Sequence, residues 1–188
     1  VPETFSICYL AMDFWTHVKD CSMVTEFDNA AFKIILFQPE IAQNLGTILR
    51  LCTCFGVSLD VIEPCGFPFS SKALRRAMMD YGELTSVTRH MSFQKYCDKK
   101  MLSGQESRMI LLTTKGSECI WDFDFNQGDN LIFGNEGHGV PEFVVEKANA
   151  KVFIPMPGGG RSLNLAVSVG ISVSEVSRQL RTKKRDLS

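Results

Sequence analysis

The sequence predicts an α/β fold, a mainly parallel β-sheet with helices on both faces. Three observations predict it. Short apolar, β-branched runs recur along the chain. Each is followed by a segment with apolar residues at helical spacing, and the links between them carry Gly, Pro and Asn. Strands alternating with helices imply crossovers, and crossovers lay helices over both faces of a parallel sheet.

The elements follow in order. Residues 1–30 hold no sustained period, carry scattered aromatics and begin with Val, so they read as an N-terminal extension, disordered or ordered, or as an upstream, non-native leader. The run FKIILF at 32–37, bounded by Gln38 and Pro39, reads as a buried strand. Residues 40–55 place Ile41, Leu45, Ile48, Leu49 and Cys52 on one helical stripe, and Gly56 supplies the stop. A strand at 57–62 comes next, then a Pro/Gly loop at 63–69. A helix opened by Ser70 or Ser71 runs on through Leu74 and Met78. Further strands are expected near 84–88, 109–112, 131–133 and 152–154. Helices are expected near 93–102, 141–149 and 162–180. The expected domain spans 31–182, and 183–188 forms a basic tail.

A chain of 188 residues suits one compact domain. Its 45% hydrophobic and 22% charged residues exclude disordered and collagen-like classes. No stretch holds the roughly 18 to 20 apolar residues of a membrane span, and no basic leader precedes an apolar run at the start. The expectation is a cytoplasmic protein with no membrane partner. The seven cysteines (Cys8, Cys21, Cys52, Cys54, Cys65, Cys97 and Cys119) are irregularly spaced and include no CxxC pair. No metal site is expected from them; they read as reduced, mostly buried thiols. A net charge of −1 excludes a uniformly basic nucleic-acid binder but leaves room for local patches. Two exist, one at Lys72, Arg75 and Arg76 and another at Arg178, Arg181, Lys183, Lys184 and Arg185. A solvated helix face and a phosphate-binding patch are equally good readings of both.

In parallel sheets ligands gather beyond the carboxyl ends of the strands. Four segments belong there: Asn44-x-Gly46-x-x-x-Arg50, Leu112-Thr113-Thr114-Lys115-Gly116, GNEGHG at 134–139, and IPMPGGGRSLNL at 154–165. Gly134, Gly137 and Gly139 allow close approach of backbone, or simply a tight turn. Their spacing is not the dinucleotide fingerprint, and no phosphate-binding lysine motif is present. Gly158, Gly159 and Gly160 cost conformational entropy to order, which implies that bare backbone is needed there. Arg161 and Ser162 open a helix, and Ser162 is either a plain cap or part of an anion site. Asn44 and Arg50 lie roughly 240° apart on one helix. Arg50 stands in an apolar stretch, where a guanidinium needs a partner such as a carboxylate. His90, beside Arg89 at a strand end, reads as a surface residue, and His138 is open between structural and acid/base roles.

Together the marks PEIAQNLGTILRLC, IEPCGF, LRRAMMDYGELTSVTRH, LLTTKG, FGNEGHGVP and IPMPGGGRSLNLAVSV, in this order, resemble the SpoU/TrmH branch of the SPOUT RNA methyltransferases. The similarity covers roughly residues 32–180 and is closest to the small bacterial tRNA (cytidine/uridine-34-2′-O)-methyltransferases. It implies a C-terminal trefoil knot, against the general rule that chains are unknotted, and a homodimer. It also implies S-adenosylmethionine as cofactor, leaving as S-adenosylhomocysteine. The matching cofactor residues are Leu112, Thr113, Gly134, Gly139, Ile154, Met156, Ser162 and Leu163. Arg50 matches the arginine that activates or orients a ribose 2′-hydroxyl, with Asn44, Glu136 and Asn164 around it. A guanidinium is a poor base, which favours positioning and charge stabilisation. RNA contacts fall to Lys72, Arg75, Arg76 and Arg161.

The implied substrate is the wobble nucleotide of leucine tRNAs, cytidine or 5-carboxymethylaminomethyluridine 34. Another tRNA or rRNA nucleotide is the alternative within the class, and a non-catalytic RNA-binding protein the alternative outside it. Two departures stand out. The relatives carry GPETRGLP where this chain has GNEGHGVP, and a Tyr where Ser174 precedes Glu175.

Overall fold

The computed structural model describes residues 31–68, 87–102 and 107–186. These form β1 (Phe32–Phe37), α1 (Ala42–Phe55), β2 (Ser58–Ile62), β3 (Val87–His90), α2 (Phe93–Leu102) and β4 (Met109–Leu112). Then come β5 (Glu118–Cys119), β6 (Asp129–Phe133), α3 (Glu142–Val145), β7 (Ala150–Phe153) and α4 (Leu165–Asp186). The extension at 1–30, the helix expected after Ser70 or Ser71, strand positions 84–86 and the patch Lys72, Arg75, Arg76 lie outside the described residues.

The strands form one parallel sheet in the order β3-β2-β1-β6-β4-β7-β5. Alternation along β1 assigns its two faces. Phe32, Ile34 and Leu36 pack in one core with Leu45, Ile48 and Leu49 of α1 and Val169, Val173 and Val176 of α4. Ile35 and Phe37 pack in a second core with Phe93 and Tyr96 of α2 and Val144 of α3. Helices therefore cover both faces, and each fully buried aliphatic side chain contributes roughly 1.5–3 kcal/mol. The near-continuous apolar strands are what such a doubly covered sheet requires.

Gly56 ends α1 as expected. Its φ of 64° is left-handed, and its N–H donates to the carbonyls of Cys52 and Thr53.

Several expectations need correction. His90 is no surface residue: it is 5% exposed, and its Nε2 lies 3.0 Å from Asp60 Oδ2. Asp60 stands in the middle of β2, where a buried carboxylate needs partners, and His90 and Lys33 (3.3 Å) supply them. The expected 141–149 helix shrinks to the four residues of α3, and the expected 152–154 strand becomes β7 at 150–153. Strand β5 was not expected at all; two residues carry no readable period. The closing helix starts at Leu165 rather than Ser162 and continues through the supposed basic tail to Asp186. There Lys183 Nζ donates to the Phe125 carbonyl at 2.7 Å. Of the described cysteines only Cys52 is buried, while Cys54 is exposed and Cys65, Cys97 and Cys119 are half-buried.

Candidate active site

Strands β1, β6, β4 and β7 are consecutive in the sheet, so the segments leaving their carboxyl ends stand side by side. These segments carry all four candidate motifs. The turn after β4 packs on β7: the Thr113 N–H donates to the Val152 carbonyl at 2.9 Å, and a Cβ on Gly116 would stand 2.6 Å from the Val152 carbonyl carbon. The turn after β6 closes on itself. A Cβ on Gly134 would stand 2.6 Å from the Gly139 carbonyl carbon, and Gly139 itself has φ +70°.

Glu136 projects from this turn onto the start of α1. Its Oε2 accepts the Glu40 N–H at 2.7 Å, and its Oε1 accepts the Ile41 N–H at 3.3 Å and Asn44 Nδ2 at 2.9 Å. Helix α1 has no side-chain cap and no acidic residue in its first turn. The remote carboxylate therefore does both jobs, satisfying donors and facing the positive end of the helix dipole.

The chain of contacts continues. Asn44 is 7% exposed, and its Oδ1 accepts Asn164 Nδ2 at 2.9 Å. A carboxylate only accepts, so the Asn44 amide has one possible orientation, with nitrogen toward Glu136 and oxygen toward Asn164. Asn164 Oδ1 in turn accepts the Ala166 N–H at 2.8 Å and the Val167 N–H at 3.4 Å, which makes Asn164 the cap of α4. Ser162, a candidate for that role or for an anion site, is exposed and lies outside the helix. The signal was present: Asn164 immediately precedes Leu165, the first buried residue of α4.

The neighbouring Asn135 was noted only as a departure from the relatives, yet it organises the turn. Its Oδ1 accepts the N–H groups of Gly137 (2.8 Å) and His138 (3.0 Å). Its Nδ2 donates to the Gln38 carbonyl at 2.8 Å. Gln38 has φ 50°, a left-handed conformation for a residue with a side chain.

Structure thus brings Asn44, Glu136 and Asn164 into one hydrogen-bonded line. Arg50 lies on the outward face of α1 and is exposed, so the apolar stretch around it does not bury it. His138 and Arg161 are exposed on their loops. Leu112 is buried, Thr113, Gly134, Ile154 and Met156 are half-buried, and Gly139, Ser162 and Leu163 are exposed at the same edge. Of the glycine triplet, Gly159 has φ +78°, which accounts for one member. A Cβ on Gly158 would meet nothing within 4 Å, so crowding by the described residues does not demand a glycine there.

The segments leaving β1, β6 and β7 are thus tied through one buried asparagine, Asn44. Residues 31–174 match the sequence profile of the SpoU rRNA Methylase family, and the chain belongs to that family.

Particular relatives sharpen this. The chain is 44% identical over 147 residues to a tRNA (cytidine(34)-2′-O)-methyltransferase of Beijerinckia indica subsp. indica, an alignment covering 78% of this chain and 91% of that one. A solved structure described as giving structural insights into the 2-OH methylation of C/U34 on tRNA superposes with a TM-score of 0.74 at 36% identity, covering 82% of this chain and 99% of that chain. An AdoMet-bound rRNA methyltransferase from Sinorhizobium meliloti gives a TM-score of 0.69 at 25% identity, covering 79% of this chain and 56% of that one.

Proposed function

We propose that the protein is a tRNA (cytidine(34)-2′-O)-methyltransferase that moves the methyl group of S-adenosylmethionine to the wobble 2′-hydroxyl of leucine tRNAs, cytidine or 5-carboxymethylaminomethyluridine 34. The observation that carries this reading is the line Glu136, Asn44, Asn164 at the shared edge of four motif segments. The names of relatives that the chain matches over nearly their whole length support nucleotide 34 of tRNA as the target. The reading includes residues 31–182 as the methyltransferase domain with 1–30 as an extension. It also includes a trefoil knot formed by the segment after β7, a homodimer and a cytoplasmic location.

The residues present fit the cofactor. Leu112, Ile154, Met156 and Leu163 offer apolar surface for a purine and ribose, and Thr113 and Ser162 offer hydroxyls. Gly134 lets the turn close on Gly139, and Gly139, with nothing within 4 Å of its Cβ position, leaves its backbone open to close approach. The open space at the Cβ position of Gly158 suits a loop that wraps a ligand rather than its own chain. When bound, S-adenosylmethionine supplies an electrophilic methyl on a sulfonium.

The protein's own groups then have separable tasks. Arg50 presents a rigid fork of donors, which suits holding the phosphate and hydroxyl of the target nucleotide in line. Glu136 already accepts three N–H groups, so it holds Asn44 rather than taking the hydroxyl proton. Arg161, with Lys72, Arg75 and Arg76, contacts RNA phosphates.

Purified protein incubated with labelled S-adenosylmethionine and leucine tRNA transcripts tests the reading. Label is expected at nucleotide 34, and Arg50→Ala is expected to abolish transfer while cofactor binding persists. Transfer to a transcript carrying a 2′-deoxy nucleotide 34 would refute 2′-O chemistry, and label elsewhere would refute the wobble assignment.

A further inference from the structure

The GNEGHG turn grips the start of α1 with two adjacent side chains. Glu136 takes the N–H groups of Glu40 and Ile41, while Asn135 takes the carbonyl of Gln38. The gripped segment holds a strained residue. Gln38, with φ 50°, sits in the left-handed region, where a side chain is strained, and such a conformation persists only when its surroundings hold it. Gln38 is held on three sides: its N–H donates to the Ile62 carbonyl at 2.9 Å, its Nε2 to the Glu63 carbonyl at 3.3 Å, and its carbonyl accepts Asn135.

Contact between turn and segment is tight. A Cβ on Gly137 would stand 3.0 Å from Glu40 Oε2 and 3.4 Å from Asn135 Oδ1. Asn135 N–H and carbonyl also pair with those of Gly139 at 2.9 Å each, so backbone and side chain of one residue both brace the turn. The turn is braced by these hydrogen bonds, and Asn135 Nδ2 adds a tie to the Gln38 carbonyl just after β1.

We propose that Asn135 is a positioning residue for methyl transfer. It holds the strained Gln38 junction, so that the segment 38–41 presents its N–H groups to Glu136, and Glu136 in turn sets the amide of Asn44 against Asn164. Asn135 touches none of these last three groups through its own side chain, and its influence on the reaction passes through Glu136. The inference rests on the methyltransferase reading for its kinetic part, and its geometric part can be measured without activity.

The test uses the full chain with Asn135→Asp, Asn135→Ser, Glu136→Gln and the double variant N135D/E136Q. Asn135→Asp keeps the acceptor for Gly137 and His138 but sets an oxygen against the Gln38 carbonyl. Asn135→Ser keeps a turn-forming hydroxyl and loses reach to Gln38; it serves if the aspartate variant fails to fold. Single-turnover transfer at saturating tRNA and S-adenosylmethionine is expected to slow about tenfold or more, with both dissociation constants within about twofold of wild type. In the Glu136→Gln background, Asn135→Asp is expected to add less than about twofold. Amide exchange at Glu40 and Ile41 is expected to accelerate in the Asn135 variants.

Losses that multiply in the double variant overturn the proposal, as does weakened cofactor binding at an unchanged rate or unchanged exchange at Glu40 and Ile41. If wild-type protein transfers no methyl to tRNA, the methyltransferase reading falls, while amide exchange still decides whether Asn135 holds the segment.

Discussion

Replacing Glu136 with alanine removes an acceptor shared by three donors, and the structure lets the loss be sized. Asn44 is 7% exposed, so its Nδ2 loses its partner with little access to water, at a cost of about 1–3 kcal/mol. The Glu40 and Ile41 N–H groups are better exposed, and α1 has no other side-chain cap. Loss of a cap costs about 1 kcal/mol. The sum is about 3 kcal/mol, and for a chain of this length it lowers Tm by roughly 6–12 °C. Urea unfolding followed by far-ultraviolet circular dichroism measures it, with an unchanged slope showing that the change lies in the folded state. Glu136→Gln retains one acceptor oxygen and is expected to lose less. A Glu136→Ala protein within about 0.5 kcal/mol of wild type would show that the carboxylate does not hold α1.

Three further outcomes follow from other contacts in the fold. Burial pushes the Cys52 thiol up to about 12, from an ordinary value of 9.0. Below pH 9 both folded and unfolded chains keep this proton. Above it the unfolded chain releases the proton first, so stability falls as pH rises, by up to about 1.4 kcal/mol per pH unit from this group. Urea midpoints from pH 8 to 11 should fall less steeply in Cys52→Ala, and iodoacetamide should label the exposed Cys54 before Cys52. Asp60→Ala strands the buried His90 ring and should cost about 2–4 kcal/mol by the same unfolding assay, with Asp60→Asn milder. Gly134→Ala drives a Cβ to 2.6 Å from the Gly139 backbone and should open the turn, read as loss of S-adenosylmethionine binding in a calorimetric titration. Unaltered binding would show that the turn yields without consequence.

Local pattern made the central elements legible. β1, β4 and α1 pair a strong apolar run or stripe with a clear punctuation mark, and their buried faces are those the period gives. Where long-range pairing decides, the pattern is silent. Glu118 and Cys119 become strand because they lie beside Val152 and Phe153 on β7, not because of anything in their own residues. His90 is buried because Asp60 lies on the neighbouring strand, and the readable clue was Asp60, a carboxylate inside the otherwise apolar run SLDVI. The candidate site was legible as motifs, since three of the four follow a strand directly and the fourth lies in the helix after β1. Its wiring was not, because Asn44 meets partners 92 and 120 residues away. Asn164 shows the intermediate case: its capping role is local and readable, while its bond to Asn44 is not.

The bond between Asn44 and Asn164 also sets a timetable during synthesis. With 120 residues between the partners, and translation at about 5–20 residues per second, the first partner waits roughly 6–24 s for the second. Strand β1, in the middle of the finished sheet, waits almost as long for β6 and meanwhile offers an apolar edge with open backbone donors and acceptors. A ribosome that stalls before α4 therefore releases a chain with no assembled Asn44–Asn164 pair. One that stalls before β6 releases a chain whose β1 still lacks the strand that covers that edge.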